Sequence, residues 1–338
     1  LPPTTDRPTI RDVARRAGTS TAVVSYVLND GPRPVAPDTR RRVLEAIEEL
    51  GYRPHALARA LRSRRTGSLG LLVPDLRSPF FAELAAAVER SAADRGLRVL
   101  VATSQSEAAR EAGQVRMLLD ARVDGVILAP TRAPGPLVRA ARAAGTRPVV
   151  LLHRSTGVCN VVAGDREAGA AALAHLVGEH DHRVVGLLRS GPRGAPVDLR
   201  AAGALAERDR LLPDLDATDL VRDCAFPALT QVAHRETRDL LARRPDLTAI
   251  VAVTDQHALG AMRAAAEAGR VVGKDLALVS LDGTAVTGFL HPPLTVLRAP
   301  FEALGEAAVT GVLEQDPPTR TTLPMELVVR SSCGCDRA

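Results

Sequence analysis

The chain of 338 residues has no tryptophan, only five phenylalanines and two tyrosines, and an aromatic share of 2%. Its apolar content is still 46%. Sizeable cores can therefore form, but they must be packed with aliphatic side chains. Lysine is almost missing as well: Lys274 is the only one, so the basic character rests on arginine. The four cysteines, Cys159, Cys224, Cys333 and Cys335, are too few and too scattered for a disulfide framework. Cys333-Gly334-Cys335 is not a zinc spacing with partners nearby in the sequence, so reduced thiols, no metal and no cofactor are expected. No stretch of about 18 apolar residues is free of charge, which speaks against a membrane span. The opening LPPTTDRPT lacks the apolar core of a signal peptide, and a cytoplasmic protein is expected.

Positive charge is unevenly placed. Residues 1–66 hold 13 Arg against 7 Asp and Glu, a net of +6, whereas the remainder holds 31 basic and 32 acidic residues. A basic segment beside a neutral bulk points to a polyanion as partner of that segment alone.

Within it, Thr9–Asn29 reads TIRDVARRAGTSTAVVSYVLN. Ile10, Val13, Ala14 and Ala17 recur as one face of a helix, with Thr9 at the N-cap, Asp12 in the first turn and Gly18 at the end. A second helix starts after Ser20. Val24, Val27 and Leu28 point inward, while Thr21, Ala22, Ser25, Tyr26 and Asn29 form a small, polar outer face. Hydroxyl, amide and methyl groups on such a face suit the major groove. A third helix over Asp38–Leu50 turns Val43, Leu44, Ile47 and Leu50 inward and carries Arg40, Arg41 and Arg42 near its start. After Tyr52-Arg53-Pro54 comes HALARALR, a segment too short to be helical alone in water.

From Ser68 onward, apolar runs alternate with helical patterns. The runs are Leu69–Val73, Val99–Ala102, Gly125–Ala129, Pro148–Leu152, Val161–Ala163, Val184–Leu188, Ala249–Val253, Leu276–Leu281 and Leu294–Leu297. Near-continuous apolar strands between helices mean parallel sheets covered on both faces. Nine such runs exceed one ordinary sheet. Two doubly wound lobes fit them, with a ligand in the crevice at the strand carboxyl ends.

The order of TIRDVARRAGTSTAVVSYVLN, TRRRVLEAIEELGYRP, ALARALRS, SLGLLVPDLRSPFFAEL, DGVILAP, TDQHALGAM and LVSLDGTAVTGFLHPPLTVLRAP resembles the LacI/GalR family of bacterial transcription regulators. That resemblance implies an α/β protein with a three-helix helix-turn-helix headpiece over 1–53 and a hinge helix and linker over 54–67. A two-lobed core resembling periplasmic binding proteins follows over 68–338. The first lobe would comprise about 68–165 and 298–325, the second about 166–297 and 326–338. By the same resemblance Thr21, Ala22 and Tyr26 read bases, and Thr9, Ser20, Ser25 and Asn29 bond phosphates, which sets register. Leu61 matches a hinge leucine that wedges into the minor groove, flanked by Ala58 and Arg62. In the core, Phe80, Phe81 and Phe226 match crevice walls, Arg200 an arginine that bonds effector oxygens, and Asp282 a carboxylate that accepts ligand hydroxyls. His153 stands where many members have Asp, and Thr254 where sugar binders have Asn before Asp255. Ala36 replaces the usual hydroxyl cap of the third helix.

The phenylalanines have core packing as a competing role. Arg200 could instead pair with a carboxylate across the crevice, and Asp282 could cap the turn at Gly283. GRVVGKD (Gly269–Asp275) has the wrong spacing for a phosphate loop. His175, His180 and His182 fit no tidy metal spacing, and no nucleophilic triad stands out. The expectation is a homodimeric, non-enzymatic regulator, a repressor by resemblance. It would bind operator DNA under control of a sugar or nucleoside-like effector. A transporter's solute-binding protein and a doubly wound enzyme are the alternatives.

Overall fold

The computed structural model describes residues 8–29, 33–52, 66–190, 195–215, 217, 219–224 and 229–335. The chain divides into two compact units, Leu1–Thr66 and Gly67–Ala338.

The first unit holds three helices: α1 (Ile10–Ala17), α2 (Thr21–Asn29) and α3 (Pro37–Glu49). α1 opens with a capping box: Asp12 accepts both the Thr9 backbone N–H (2.9 Å) and the Thr9 hydroxyl (2.7 Å). It closes at Gly18, whose φ of 62° only glycine adopts without cost. The core is small and aliphatic: Val13, Ala14 and Ala17 of α1, Val24 and Val27 of α2, and Val43 and Ala46 of α3. Leu44 corrects the sequence reading. It is 49% exposed, because the inward stripe of α3 runs through Val43, Ala46, Ile47 and Leu50, the i, i+3, i+4, i+7 set, and Leu44 lies one position off it. Ala36 makes no side-chain cap; α3 starts instead on Pro37, whose fixed φ suits the first turn.

The second unit contains two six-stranded sheets. The first is made of β1 (Ser68–Val73), β2 (Arg98–Thr103), β3 (Gly125–Leu128), β4 (Arg147–Leu151), β5 (Cys159–Ala163) and β11 (Arg320–Leu323). Its order is β11-β5-β4-β3-β1-β2, all parallel. The second is made of β6 (Val185–Arg189), β7 (Val221–Asp223), β8 (Ala249–Ala252), β9 (Ala277–Ser280), β10 (Thr295–Arg298) and β12 (Glu326–Val328). Its order is β12-β10-β9-β8-β6-β7, parallel except for the β10–β12 pair.

Successive strand residues feed opposite faces. Leu69, Leu71 and Val73 pack on the Pro79–Ala93 and Phe301–Leu313 helices, while Leu72, Val126 and Leu128 pack on Ala108–Asp120 and Gly135–Ala143. In the second sheet Leu187 and Val251 face Asp165–Ala174 and Pro196–Leu211, and Leu188 and Ile250 face Leu229–Arg243 and Asp255–Glu267. The nine apolar runs are all strands. β7, β11 and β12 were not among them: VRD, RTTL and ELV lie at sheet edges, and no residue of theirs is fully buried.

Candidate functional site

In both sheets the strand order reverses beside the first strand, between β2-β1 and β3 in one and between β7-β6 and β8 in the other. Crevices open at the carboxyl ends of strands at such switch points. A cavity is found there, between the two sheets. Its first-lobe wall comes from residues just past β1 to β4: Pro74, Ser106, Ala129–Thr131, Leu152 and His153, with Ser78, Phe80 and Phe81 from the start of the following helix. The second-lobe wall comes from residues past β6, β8 and β9: Ala195, Pro196, Val197 and Arg200, then Thr254 and Gln256, then Asp282, with Leu229 beside them.

The first-lobe wall is mainly apolar. Phe80 packs edge-on against Phe81 with centroids 5.2 Å apart and also touches Phe301 in the lobe core. Phe80 therefore serves both the core and the cavity. Leu152 adopts φ 68°, a left-handed conformation that costs a non-glycine residue about 1–2 kcal/mol. Burial holds the neighbouring His153 imidazole below its ordinary pKa.

The second-lobe wall is a charge network around Arg200, which is 2% exposed. Nε donates to Asp165 Oδ1 (2.8 Å), and Nη1 to Asp282 Oδ1 (2.6 Å), the Val253 carbonyl (2.8 Å) and the Leu281 carbonyl. None of these bonds uses Nη2. The guanidinium carbon sits 5.7 Å from the centroid of the Phe80 ring, a cation–π contact from one lobe to the other. Burial opposes the charge on Arg200, and Asp282 and Asp165 more than restore it, raising its pKa further. Burial pushes the Asp282 carboxyl up to about 7 against the pull of Arg200, and raises that of Asp165 as well. The physical reason is burial with too little cation: Asp165 and Asp282 are both buried and share one guanidinium, and the buried Asp255 adds a like charge beside Asp282.

Local sequence explains how Arg200 reaches Asp165. The helices Asp165–Ala174 and Pro196–Leu211 touch backbone to backbone at Gly169 and Gly203. A Cβ on Gly169 would lie 1.9 Å from the Arg200 carbonyl oxygen, and one on Gly203 1.9 Å from that of Arg166. Only glycine permits that approach.

Phe80, Phe81, His153, Arg200, Thr254 and Asp282 thus line one cavity. Asp255, another expected ligand contact of the second lobe, is not among the lining residues. Its carboxylate accepts from Ser280 Oγ (2.5 Å), Thr284 N (2.8 Å), Thr284 Oγ1 (2.6 Å) and Gly283 N (3.3 Å), so it shapes the loop that carries Asp282. Its backbone N–H in turn donates to Asp282 Oδ2 (3.0 Å). The Thr254 hydroxyl is engaged by His257, through Nδ1 at 2.6 Å and the backbone N–H at 3.4 Å. Phe226 lies outside the described residues. Asp165, which holds Arg200, and His257, which holds Thr254, carried no signal in the sequence beyond being polar residues on otherwise apolar helix faces.

In the first unit, Thr21 and Ala22 are exposed and Ser25 and Tyr26 half-buried on the face of α2 opposite Val24 and Val27. Ser20 caps the helix by accepting the Val23 N–H at 3.3 Å. Thr9 is exposed at the start of α1. Asn29 ends α2. Arg41 pairs loosely with Asp38 and Glu45 of its own helix, each at 3.5 Å. The hinge positions Ala58, Leu61 and Arg62 lie outside the described residues. Two of the three histidines near the end of the Asp165–Ala174 helix, His175 and His180, and the two carboxyl-terminal cysteines, set aside separately as metal ligands, meet in space.

A helix-turn-helix unit followed by a two-lobed core with a cavity at both switch points defines a DNA-binding regulator controlled by a small molecule. Two family models match the chain: bacterial regulatory proteins of the lacI family over residues 9–55, and the periplasmic binding proteins and sugar binding domain of the LacI family over 66–330. The chain belongs to the LacI family of bacterial transcriptional regulators. It is 33% identical over 332 residues to the ribose operon repressor of Halalkalibacterium halodurans, covering 96% of each. It is also 33% identical over 338 residues to the transcriptional regulator MalR of Streptomyces coelicolor, again covering 96% of each. The solved lac repressor dimer bound to operator and the anti-inducer ONPF matches with a TM-score of 0.82 at 27% identity, over 97% of this chain and 99% of that one. No helix among the described residues is long and apolar enough to cross a membrane.

Proposed function

We propose that the chain is a cytoplasmic, homodimeric repressor that binds a near-palindromic operator and changes its affinity when a neutral, polyhydroxylated small molecule, a sugar or nucleoside, occupies the crevice. The observation that carries the ligand class is Arg200. Its charge is already met by Asp165 and Asp282, so an anion gains little there, while Nη2, which takes no part in those bonds, would be the group left to donate to ligand oxygens. Phe80 and Phe81 supply an apolar face against which a sugar ring or base can stack. Ligand contact is assigned to Phe80, Phe81, His153, Arg200 and Asp282, with Thr254 at the rim and Phe226 as a further wall.

On α2, Thr21, Ala22 and Tyr26 would read base edges. Thr9, Ser20, Ser25 and Asn29 would fix register on phosphates, and the hinge residues Ala58, Leu61 and Arg62 would enter the minor groove at the operator centre. Dimerisation is supported by apolar side chains left exposed on the core, among them Leu100 and Val101 on edge strand β2 (41% each) and Phe289 (88%).

The test selects an operator from random duplexes and screens sugars and nucleosides by thermal shift, since a ligand that binds only the folded state raises the melting temperature. Asp282→Asn is then compared with the wild type. The expected result is an operator affinity close to wild type, with an effector response, typically about 5–150-fold in this kind of coupling, reduced to near onefold. A retained response places the ligand elsewhere. No preference for any palindromic duplex over random DNA overturns the reading altogether.

A further inference from the structure

The Asp165–Ala174 helix does not simply stop. It continues as a single π turn, His175–Glu179, ending at His180. In an α-helix, residues five apart point about 140° away from each other at 3.6 residues per turn. The i→i+5 bonding of a π turn stacks them instead, and such turns mark functional positions more often than ordinary helix does. The rings of His175 and His180 accordingly meet edge to face, 4.9 Å between centroids.

The carboxyl-terminal segment arrives at the same place from the far end of the chain. Beyond β12, the 3-10 turn Ser331–Cys333 is fixed to the second sheet by Ser332, whose hydroxyl donates to the Leu278 carbonyl (2.6 Å) and accepts the Thr295 N–H (2.7 Å). Gly334 then takes φ 94°, a glycine conformation that reverses the chain and turns both flanking cysteines to one side. The Cys335 sulfur lies 3.1 Å from His180 Nε2. Cys333 is fully buried, and His175 is 8% exposed with a buried Nε2 that has no hydrogen-bond partner among the described residues. One donor atom from each of His175, His180, Cys333 and Cys335 lies within 4.8 Å of every other.

We propose that these four residues form a binding site for a tetrahedral transition-metal ion, Zn2+ in the first instance, which clips the carboxyl-terminal segment to the end of the Asp165–Ala174 helix. Two imidazoles and two thiols are the donor set that selects zinc and its softer neighbours over magnesium or calcium. A closed tetrahedral shell, with bonds of about 2.3 Å to sulfur and 2.0–2.1 Å to nitrogen, sets its donors roughly 3.4–3.8 Å apart. The observed spread needs a contraction of roughly 1 Å, within reach of side-chain rotation at the half-exposed His180 and Cys335. A metal bound through His175 Nε2 would also satisfy the imidazole nitrogen that has no partner among the described residues. His182 is not among the residues whose donor atoms converge; its Nδ1 is bonded to Thr248 Oγ1 at 3.0 Å. The site is separate from the crevice: Asp165 and His175 stand at opposite ends of one helix, about 15 Å apart at 1.5 Å per residue.

The experiment uses the full-length chain, purified under reducing conditions with all four thiols titrated as free before metal is added. Co2+ replaces Zn2+ as a spectroscopic probe. One equivalent should give sulfur-to-cobalt charge transfer and the intense ligand-field bands of tetrahedral Co2+, and Zn2+ should bleach both and raise the melting temperature. Cys335→Ser and His180→Ala, at half-exposed positions, should melt like the wild type in chelator. They should bind Co2+ at least about 100-fold more weakly, beyond what loss of an outer partner costs. A reduced wild type that shows no such bands with stoichiometric Co2+ overturns the proposal. So does either variant binding as tightly as the wild type. Both readouts are independent of operator and effector.

Discussion

The two walls of the crevice are built on different principles. The first lobe offers shape: Phe80, Phe81, Pro74 and Leu152 present apolar surface whose position is set by packing. The second offers a fixed arrangement of charge. Arg200, Asp165, Asp255 and Asp282 are each 5% exposed or less, and each carboxylate is bonded to a neighbour in the network. A shape wall tolerates substitution by another apolar group of similar volume at modest cost. A buried charge wall does not, because every member that is removed leaves others uncompensated. A ligand in the crevice would therefore meet one surface that adapts and one that is already oriented before binding.

Removing the centre of the charged wall should have the largest effect. Arg200→Met keeps the volume but leaves Asp165 and Asp282 buried without their cation. The expected loss is about 3–5 kcal/mol in urea unfolding of the core at pH 7. A loss below about 1 kcal/mol would mean that the carboxylates find water or protons easily, and the contrast between the walls would fail.

The next effect comes from the helix crossing that brings Asp165 to Arg200. Gly203→Ala places a methyl group against the Arg166 carbonyl. Overpacking of this kind costs about 1–3 kcal/mol, and a gain in helix propensity of about 0.5–1 kcal/mol offsets only part of it. The first lobe supplies the control. Gly113, within Ala108–Asp120, has open space where its Cβ would be. Gly113→Ala should stabilise by about 0.5–1 kcal/mol. Melting both variants checks the pair: equal shifts of the same sign would show that the crossing is not tight.

These two walls were not equally legible in the sequence. Strand runs such as Leu69–Val73 and Ala249–Val253 carry no polar side chain, so both sheets could be read from composition along the chain. Phe80 and Phe81 stood out because the chain has so few aromatics. The charged wall could not be assembled that way. Asp165, Arg200, Asp255 and Asp282 come from four separate segments, and only the glycine-to-glycine crossing and the switch-point topology bring them together. Asp255 follows a strand end just as Asp282 does, yet its side chain turns inward to Thr284, a choice that spacing does not encode. The His175–His180 and Cys333–Cys335 pairs could not be brought together from spacing for a related reason. Helical spacing assumes 3.6 residues per turn, and the π turn breaks that assumption at the two histidines.

The last of the expected effects isolates by pH a neutral neighbour of the charged wall. His257 is fully buried, and burial first, then the charge of Arg200, holds its imidazole down at about 3. In the unfolded chain a histidine titrates near 6.5. Between these two values the unfolded state binds a proton that the folded state refuses. The stability contributed by keeping His257 neutral is thus whole above about pH 6.5 and lost as pH falls toward 3, at about 1.4 kcal/mol per unit. Burial likewise lowers His153 and His182, while the raised Asp282 works in the opposite sense, gaining stability as pH falls below about 7. All three remain in a His257→Gln variant, so the difference between the two proteins isolates His257. Urea unfolding at pH 7 and pH 5 should show the wild type losing about 2 kcal/mol more than the variant over that interval. Parallel losses would mean that His257 takes up a proton in the folded protein, and that the charged wall is wetter than its burial implies.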